Sequence, residues 1–509
     1  MIPVRGSFVT WPAARTAAVA ALLLLVPLAA LALSGCGGSA ASGTSGTVVQ
    51  TTAASVPPAG GTSTSAGTGE TSVTGSSTST PVASSTTQTT GGGQASADWP
   101  TYHHDAARSG VSSDQAALGA VKQAWASATL DGAVYAQPLV VGGRVLVATE
   151  GDSVYALDAA TGKTVWRQNL GQPVAGGDLP CGNIDPSGIT GTPVIDAGTG
   201  TLYVVAGLKS GPHHELFALA LADGAVRWHQ AIDPPGLQPA VEQQRGALTL
   251  SGGKVYVPFG GLYGDCGPYK GAVVSVAEDG SGGLAAYTVP TRREAGIWNP
   301  AGPAVDASGD LWVTTGNSAG QSTYDFGNAV IRLDAQLKVL DYFAPSNWAQ
   351  LNAGDVDLGS LGPVLLPNSR VLAMGKEGIA YLLDAANLGH VGKSVASLRA
   401  GNGAFGAAAV SGSTVFIPTT GALVALNVTA DKLSVGWKAD GGSCTPIVAA
   451  GAVWAVGYDG TLRALDPATG KVRFSASLGT PVSRFVSPAA AGGMIFVPNG
   501  DSVTAFTLR

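Results

Sequence analysis

From Asp98 to Arg509 short apolar runs alternate with turn residues, and their spacing is that of β-strands. Residues 138–166, PLVVGGRVLVATEGDSVYALDAATGKTVW, show the unit best. Pro138–Val141 is one apolar run. Gly142-Gly143 turns it into Val145–Ala148, which lacks polar alternation, as expected of a strand covered on both faces. Ser153–Leu157 follows, and Asp158-Ala159-Ala160-Thr161-Gly162 turns it into a fourth run ending at Trp166. Asp and Thr oxygens accept backbone N–H groups in such a turn, and Gly supplies a positive φ. Four antiparallel strands joined by tight turns make one propeller blade.

The unit recurs. Residues 218–228 (ALALADGAVRW) and 464–474 (ALDPATGKVRF) repeat 156–166 without a gap, with Phe474 in the Trp position. Weaker turns of the same kind stand at Leu333-Asp334, Leu383-Asp384, Leu426-Asn427 and Ala505-Phe506. First strands begin near Pro138, Pro193, Gly246, Pro303, Pro363, Gly406, Pro446 and Pro488, which gives eight copies roughly 40 to 60 residues apart. The fold class is therefore all-β: an eight-bladed β-propeller of four-stranded antiparallel blades, over residues 98–509. The last copy has only three strands, and Gln123–Leu130 is expected to supply the fourth and close the ring. No helix of any length is predicted.

Before the repeats, residues 1–35 form an export signal. Arg5 and Arg15 precede the apolar run AAVAALLLLVPLAALAL. The run ends in Leu33-Ser34-Gly35-Cys36, which resembles the lipobox of bacterial lipoproteins and implies lipidation of Cys36. Residues 36–97 are Ser, Thr, Gly and Ala with one charge, Glu70, and read as a disordered tether. The expected location is the outer face of the bacterial cell membrane, held by a lipid anchor alone.

Charge narrows the partners. The net charge of −6 becomes −8 once Arg5 and Arg15 are removed, and no basic cluster interrupts it, which argues against nucleic acid. Of the four cysteines, Cys181 and Cys266 lie in loops of neighbouring copies and are expected to pair in an oxidising compartment, while Cys444 reads as a small buried residue. No phosphate loop leads from a strand into a helix, and no nucleophile elbow is present. His103-His104 and His213-His214 are adjacent on extended chain, so neither pair easily binds one metal.

The opening motif Asp98-Trp99-Pro100-Thr101-Tyr102 and the VYALDAATGKTVW unit with its copies resemble the PQQ-type (quinoprotein-like) propellers, over essentially all of 98–509. The resemblance implies that Trp166, Trp228, Trp437 and Phe474 dock between blades. It also covers two kinds of protein: dehydrogenases that hold pyrroloquinoline quinone (PQQ) with calcium, and envelope lipoproteins that bind proteins without a cofactor. For the first kind it implies Asn317, in LWVTTGNSAG, as a calcium ligand and Trp298 as the floor of the quinone. It further implies Asp357, in the Asp355-Val356-Asp357 run, as the catalytic carboxylate and Lys376 as the cation at the quinone oxygens.

Three departures point the other way. No two cysteines are adjacent, no haem-attachment motif is present, and the calcium-binding Glu has only the shorter Asp265 as its nearest counterpart. The reading that follows is a non-catalytic binding or scaffolding protein of the cell envelope. It expects no cofactor, and it has envelope proteins or polymers as partners through its loops. The alternative is a PQQ- and calcium-dependent dehydrogenase using Asp357, Asn317, Trp298 and Lys376.

Overall fold

A computed structural model describes residues 98–113 and 117–509. The export signal, Cys36 and the tether lie outside the described residues. Eight sheets follow one another along the chain as the blades of a propeller, antiparallel throughout except where the short strand His390–Val391 joins the edge of the fourth in parallel. Blade 1 has strands Leu139–Val141, Arg144–Thr149, Ser153–Asp158 and Thr164–Asn169. Its first three strands are almost wholly buried and its fourth alternates with solvent, so the apolar runs of the sequence are the inner strands. Blades 2 to 7 repeat this order, with inner strands at Val194–Asp196, Thr249–Ser251, Ala304–Val305, Val364–Leu366, Ala409–Ser411 and Ile447–Ala449.

Blade 8 takes Ala489–Ala491, Met494–Asn499 and Ser502–Thr507 from the C-terminal end and Lys122–Ala126 from the start. The closing strand pairs Lys122 with Thr507 and Trp125 with Ala505. It is shorter than expected, because the chain leaves the ladder after Ala126. Ser127 and Leu130 still donate to the carbonyls of Val503 and Asp501.

Each outer-strand Trp locks its blade to the next. Trp125 packs on Gly162, Trp166 on Gly224, Trp228 on Gly280 and Trp437 on Gly470. A Cβ on Gly162 would stand 2.4 Å from the Trp125 ring, and its φ is +71°, so the turn glycine serves both the turn and the seam. The indole N–H then caps a turn carbonyl: Trp125 donates to Ala159, Trp166 to Leu221 and Trp437 to Pro467. Between blades 7 and 8, where Phe474 replaces Trp, the contact is edge-to-face with Phe506 at 6.2 Å.

The opening motif belongs to a segment that ties the inner strands together. Trp99 bridges Val140 of blade 1, and the Pro100 carbonyl accepts from Ile195 of blade 2. The carbonyls of Ala106, Ser109 and Gly110 accept from Val305, Val410 and Val448 of blades 4, 6 and 7. Tyr102, 1% exposed, fills the space among Ala247, Ala301 and Ala407 of three different blades. Among the described residues one α-helix does occur, Trp348–Ala353, against the expectation of none. Its six residues sit in the connection leading to blade 5, where no strand pattern competes, and it carries the chain toward Asp357.

Candidate functional site

The loops that precede the inner strands, together with hairpin loops of blades 3, 4 and 5, surround a cavity of about 600 Å³. Asp357 arrives between the short helix and a 3-10 turn at Leu358–Ser360, and only 4% of it is exposed. Its Oδ2 meets Lys376 Nζ at 2.6 Å, and its Oδ1 accepts the Asn317 backbone N–H at 2.6 Å. Burial pushes the Asp357 carboxyl above the usual carboxylate range, with Lys376 holding it back. Burial works against the Lys376 charge, but Asp357 and Asp355 outweigh it and keep the ammonium ionised beyond the ordinary lysine value. Asp355 Oδ1, more exposed, takes the same ammonium at 2.9 Å.

The Asn317 side chain completes this cluster. With its nitrogen toward the carboxylates it donates to Asp357 Oδ1 at 2.5 Å and Asp355 Oδ1 at 3.3 Å. Turned the other way, its oxygen faces the same two carboxylates, the orientation a bridging cation would select. Gly316 lets these groups close up: a Cβ there would lie 2.5 Å from Asp357 Oδ1 and 2.9 Å from Trp298 Nε1. Trp298 is on the cavity wall, edge-on to Phe485 at 6.3 Å. Asp265 is also on the wall, but its Oδ1 accepts the Tyr269 phenol at 2.6 Å. Burial, then Asp265, drive that phenol's pKa upward. Cys181 and Cys266 are joined, Cα to Cα 6.1 Å, and tie together the two loops that bring Asn183 and Asp265 to the cavity. Cys444 is free and buried, donating to the Ser483 carbonyl.

Two arginines went unremarked in the sequence. Arg245 lies over the rings of Phe485 at 4.1 Å and Trp298 at 5.9 Å, and Arg484 lies over Phe405 at 4.6 Å. Among the described residues neither guanidinium has a hydrogen-bond or ion-pair partner. Burial holds Arg245 down to about 10, opposed by the Glu150 carboxyl. Both precede an inner strand by a few residues, as Trp298 and Asp357 do. Repeat phase was thus the signal that could have found them.

A family model described as outer membrane protein assembly factor BamB, of the PQQ-type propellers, matches residues 114–328 and 376–509. The chain belongs to this family. The unmatched stretch between those segments carries Asp355 and Asp357. Polyvinylalcohol dehydrogenase of Sphingopyxis sp. is 26% identical over 485 residues, covering 76% of this chain and 69% of the relative. Among solved structures, quinohemoprotein alcohol dehydrogenase from Comamonas testosteroni superposes with a TM-score of 0.63 at 18% identity, over 81% of this chain and 80% of that one. A europium-containing methanol dehydrogenase gives 0.61 at 14% identity, over 81% and 98%. BamB from Moraxella catarrhalis gives 0.52 at 15%, over 76% and 100%. These structural likenesses show the shared fold.

The expected non-catalytic binding or scaffolding role without a cofactor is therefore corrected. The sequence similarity over 76% of the chain is to a dehydrogenase, and the physical reason lies in the cavity. A surface that only presented loops would not need a buried Asp–Lys pair beside unpartnered guanidiniums stacked on aromatic rings. The domain is extracytoplasmic, in keeping with its disulfide.

Proposed function

We propose that the protein is a PQQ- and calcium-dependent dehydrogenase that oxidises an alcohol. The observation that carries this reading is the buried Asp357, gripped by Lys376 and Asn317 on the wall of a cavity lined by open guanidiniums and aromatic rings. PQQ is a planar tricarboxylate that, when bound, supplies the two-electron acceptor for an alcohol carbon. The donor set fits it. Trp298, Phe405 and Phe485 offer ring faces, while Arg245 and Arg484 offer N–H groups for carboxylates.

Asn317 and Asp355 offer hard oxygens for calcium, and Asp265 stands on the same wall. Among the described residues no three His, Cys, Asp or Glu side chains form a ready cage, so calcium would share this site with oxygens that are not the protein's. Asp357 is the base that takes the hydroxyl proton of the alcohol; its raised pKa makes it a stronger base than an exposed carboxylate. Lys376 keeps it oriented and offsets charge gathering nearby.

The similarity to polyvinylalcohol dehydrogenase makes polymeric and secondary alcohols the first substrates to try. The leader and its Leu-Ser-Gly-Cys36 ending support a lipid anchor at Cys36, with electrons leaving to a separate carrier because no haem motif is in the chain. The test is dye-linked oxidation of an alcohol panel by protein loaded with PQQ and calcium. Turnover that vanishes in Asp357→Asn while PQQ stays bound supports the reading, and a loaded protein inert toward every alcohol defeats it.

A further inference from the structure

At the junction of blades 1 and 2, outside the wall of the cofactor cavity, four buried oxygens have no hydrogen-bond partner. Asp152 is 0% exposed and neither carboxylate oxygen has a hydrogen-bond partner. Glu150 is 1% exposed; its Oε2 accepts the Gly188 N–H at 2.6 Å, and its Oε1 has no partner. The Thr190 hydroxyl lies beside the same carboxyl, buried, without completing a hydrogen bond. Both acids flank Gly188. A Cβ on Gly188 would stand 2.5 Å from the Glu150 carbonyl oxygen and 2.7 Å from Asp152 Oδ1, so these oxygens converge on one small space.

Buried carboxylates without donors are rare in native proteins, because each forfeits hydration with nothing in return. Arg167 is taken by Asp131, which also accepts from Thr149 and Ser153, and the Arg245 guanidinium acts on Glu150 through its charge without a hydrogen bond to it. The position itself is unusual. Residues before the matching strands of blades 5 and 7 are Gly378 and Gly460, with φ of +81° and +73°. Blade 1 places Asp152 in the same left-handed conformation, φ +54°, and turns its carboxylate inward.

We propose that this junction binds a hard divalent cation, calcium being the reference ion, through the carboxylates of Asp152 and Glu150, the Glu150 carbonyl and the Thr190 hydroxyl. Water would complete a coordination shell of about six to eight oxygens. The cation would staple the turn of blade 1 to the Ser187–Thr190 stretch that leads into blade 2. Only two carboxylates take part, in keeping with the absence of any tighter acidic cage among the described residues. The site goes beyond the proposed reaction and does not depend on it.

The full chain, freed of metal with EDTA and without PQQ, should be dialysed against calcium. Bound metal is then counted by mass spectrometry and Tm followed by calorimetry. The expected result is a calcium-dependent rise in Tm of several degrees. Asp152→Asn should abolish that rise together with one equivalent of bound calcium. Asn317→Ala, aimed at the cofactor cavity, should keep both. Glu150→Gln, read in the same two ways, serves if Asp152→Asn does not fold. The proposal is overturned if calcium leaves the wild-type Tm unchanged, or if the Asp152 and Glu150 variants bind as much calcium as wild type. Asp152 would then be a buried neutral acid, which an isosteric amide replaces without loss. Because PQQ is absent throughout, failure here leaves the dehydrogenase reading standing, and failure of that reading leaves this site untouched.

Discussion

Arg108 and Arg245 are two guanidiniums drawn out of water, and burial holds each to about 10. Arg108, in the opening segment, donates to Thr101 Oγ1, the Tyr102 carbonyl, the Leu248 carbonyl and Thr249 Oγ1. Arg245, on the cavity wall, donates to nothing among the described residues and rests on aromatic faces. Arg108 is buried and Arg245 half-buried, yet only the first replaces the hydrogen bonds of both its terminal nitrogens, with Nε alone left without a partner. A buried cation whose donors are filled by its own chain is part of the structure. One whose donors are left open beside a cavity is held ready for an anion from outside.

The largest expected effect falls on the cavity's base. Asp357→Asn should lower alcohol turnover by roughly 10²- to 10⁴-fold, the range for removal of a general base, with PQQ affinity little changed. Turnover within a few-fold of wild type would take Asp357 out of the chemistry. In the wild type, turnover should fall as pH is lowered and Asp357 takes up a proton, because only its carboxylate form can accept the hydroxyl proton of the alcohol. Acid loss of turnover that persists unchanged in the residual activity of Asp357→Asn would assign it to another group.

Next comes the arginine pair. Arg108→Gln leaves acceptors of the opening segment and of blade 3 unfilled and should destabilise the domain by about 1–3 kcal/mol for each one left unpaired, visible as a large drop in Tm. Arg245→Gln should leave Tm near wild type and weaken PQQ binding at least tenfold. If the two variants behaved alike in both measurements, open and filled donors would not separate binding from structure.

A smaller effect concerns Glu242, 2% exposed, whose carboxyl burial pushes up to about 8. The native state then holds a proton that the unfolded chain has already released between its ordinary carboxylate value and about 8. Stability therefore falls as pH rises across that window. Glu242→Gln should flatten the fall of Tm between pH 5 and 8, in part only, because Glu150 and Asp152 are raised as well. An unchanged slope would mean that Glu242 stays ionised in the folded protein.

The blades were legible because their signal is local and repeated. A Gly-Gly turn, an Asp…Thr-Gly turn and an outer Trp recur at one phase, and the Trp finds the next blade's glycine without further instruction. Asp357, Lys376 and Asn317 were legible as separate residues. Their mutual contacts were not, because each comes from a different loop and only the packing of blade 4 against blade 5 brings them together. The helix at Trp348–Ala353 escaped because six residues carry too little periodicity to register. Arg245 and Arg484 escaped because they belong to no motif, and only the phase of their loops marks them. The non-catalytic expectation failed at the same point, because absent vicinal cysteines and an absent Glu say less about a cavity than two guanidiniums left open on its wall.

Calorimetric titration of the full chain with PQQ, with and without calcium, tests the central claim most directly, read for wild type and for Arg245→Gln. Calcium-strengthened binding at a single site, weakened at least tenfold in the Arg245 variant, is the predicted result. No heat of binding at any PQQ concentration, or binding indifferent to Arg245, would contradict the assignment of this cavity to the quinone.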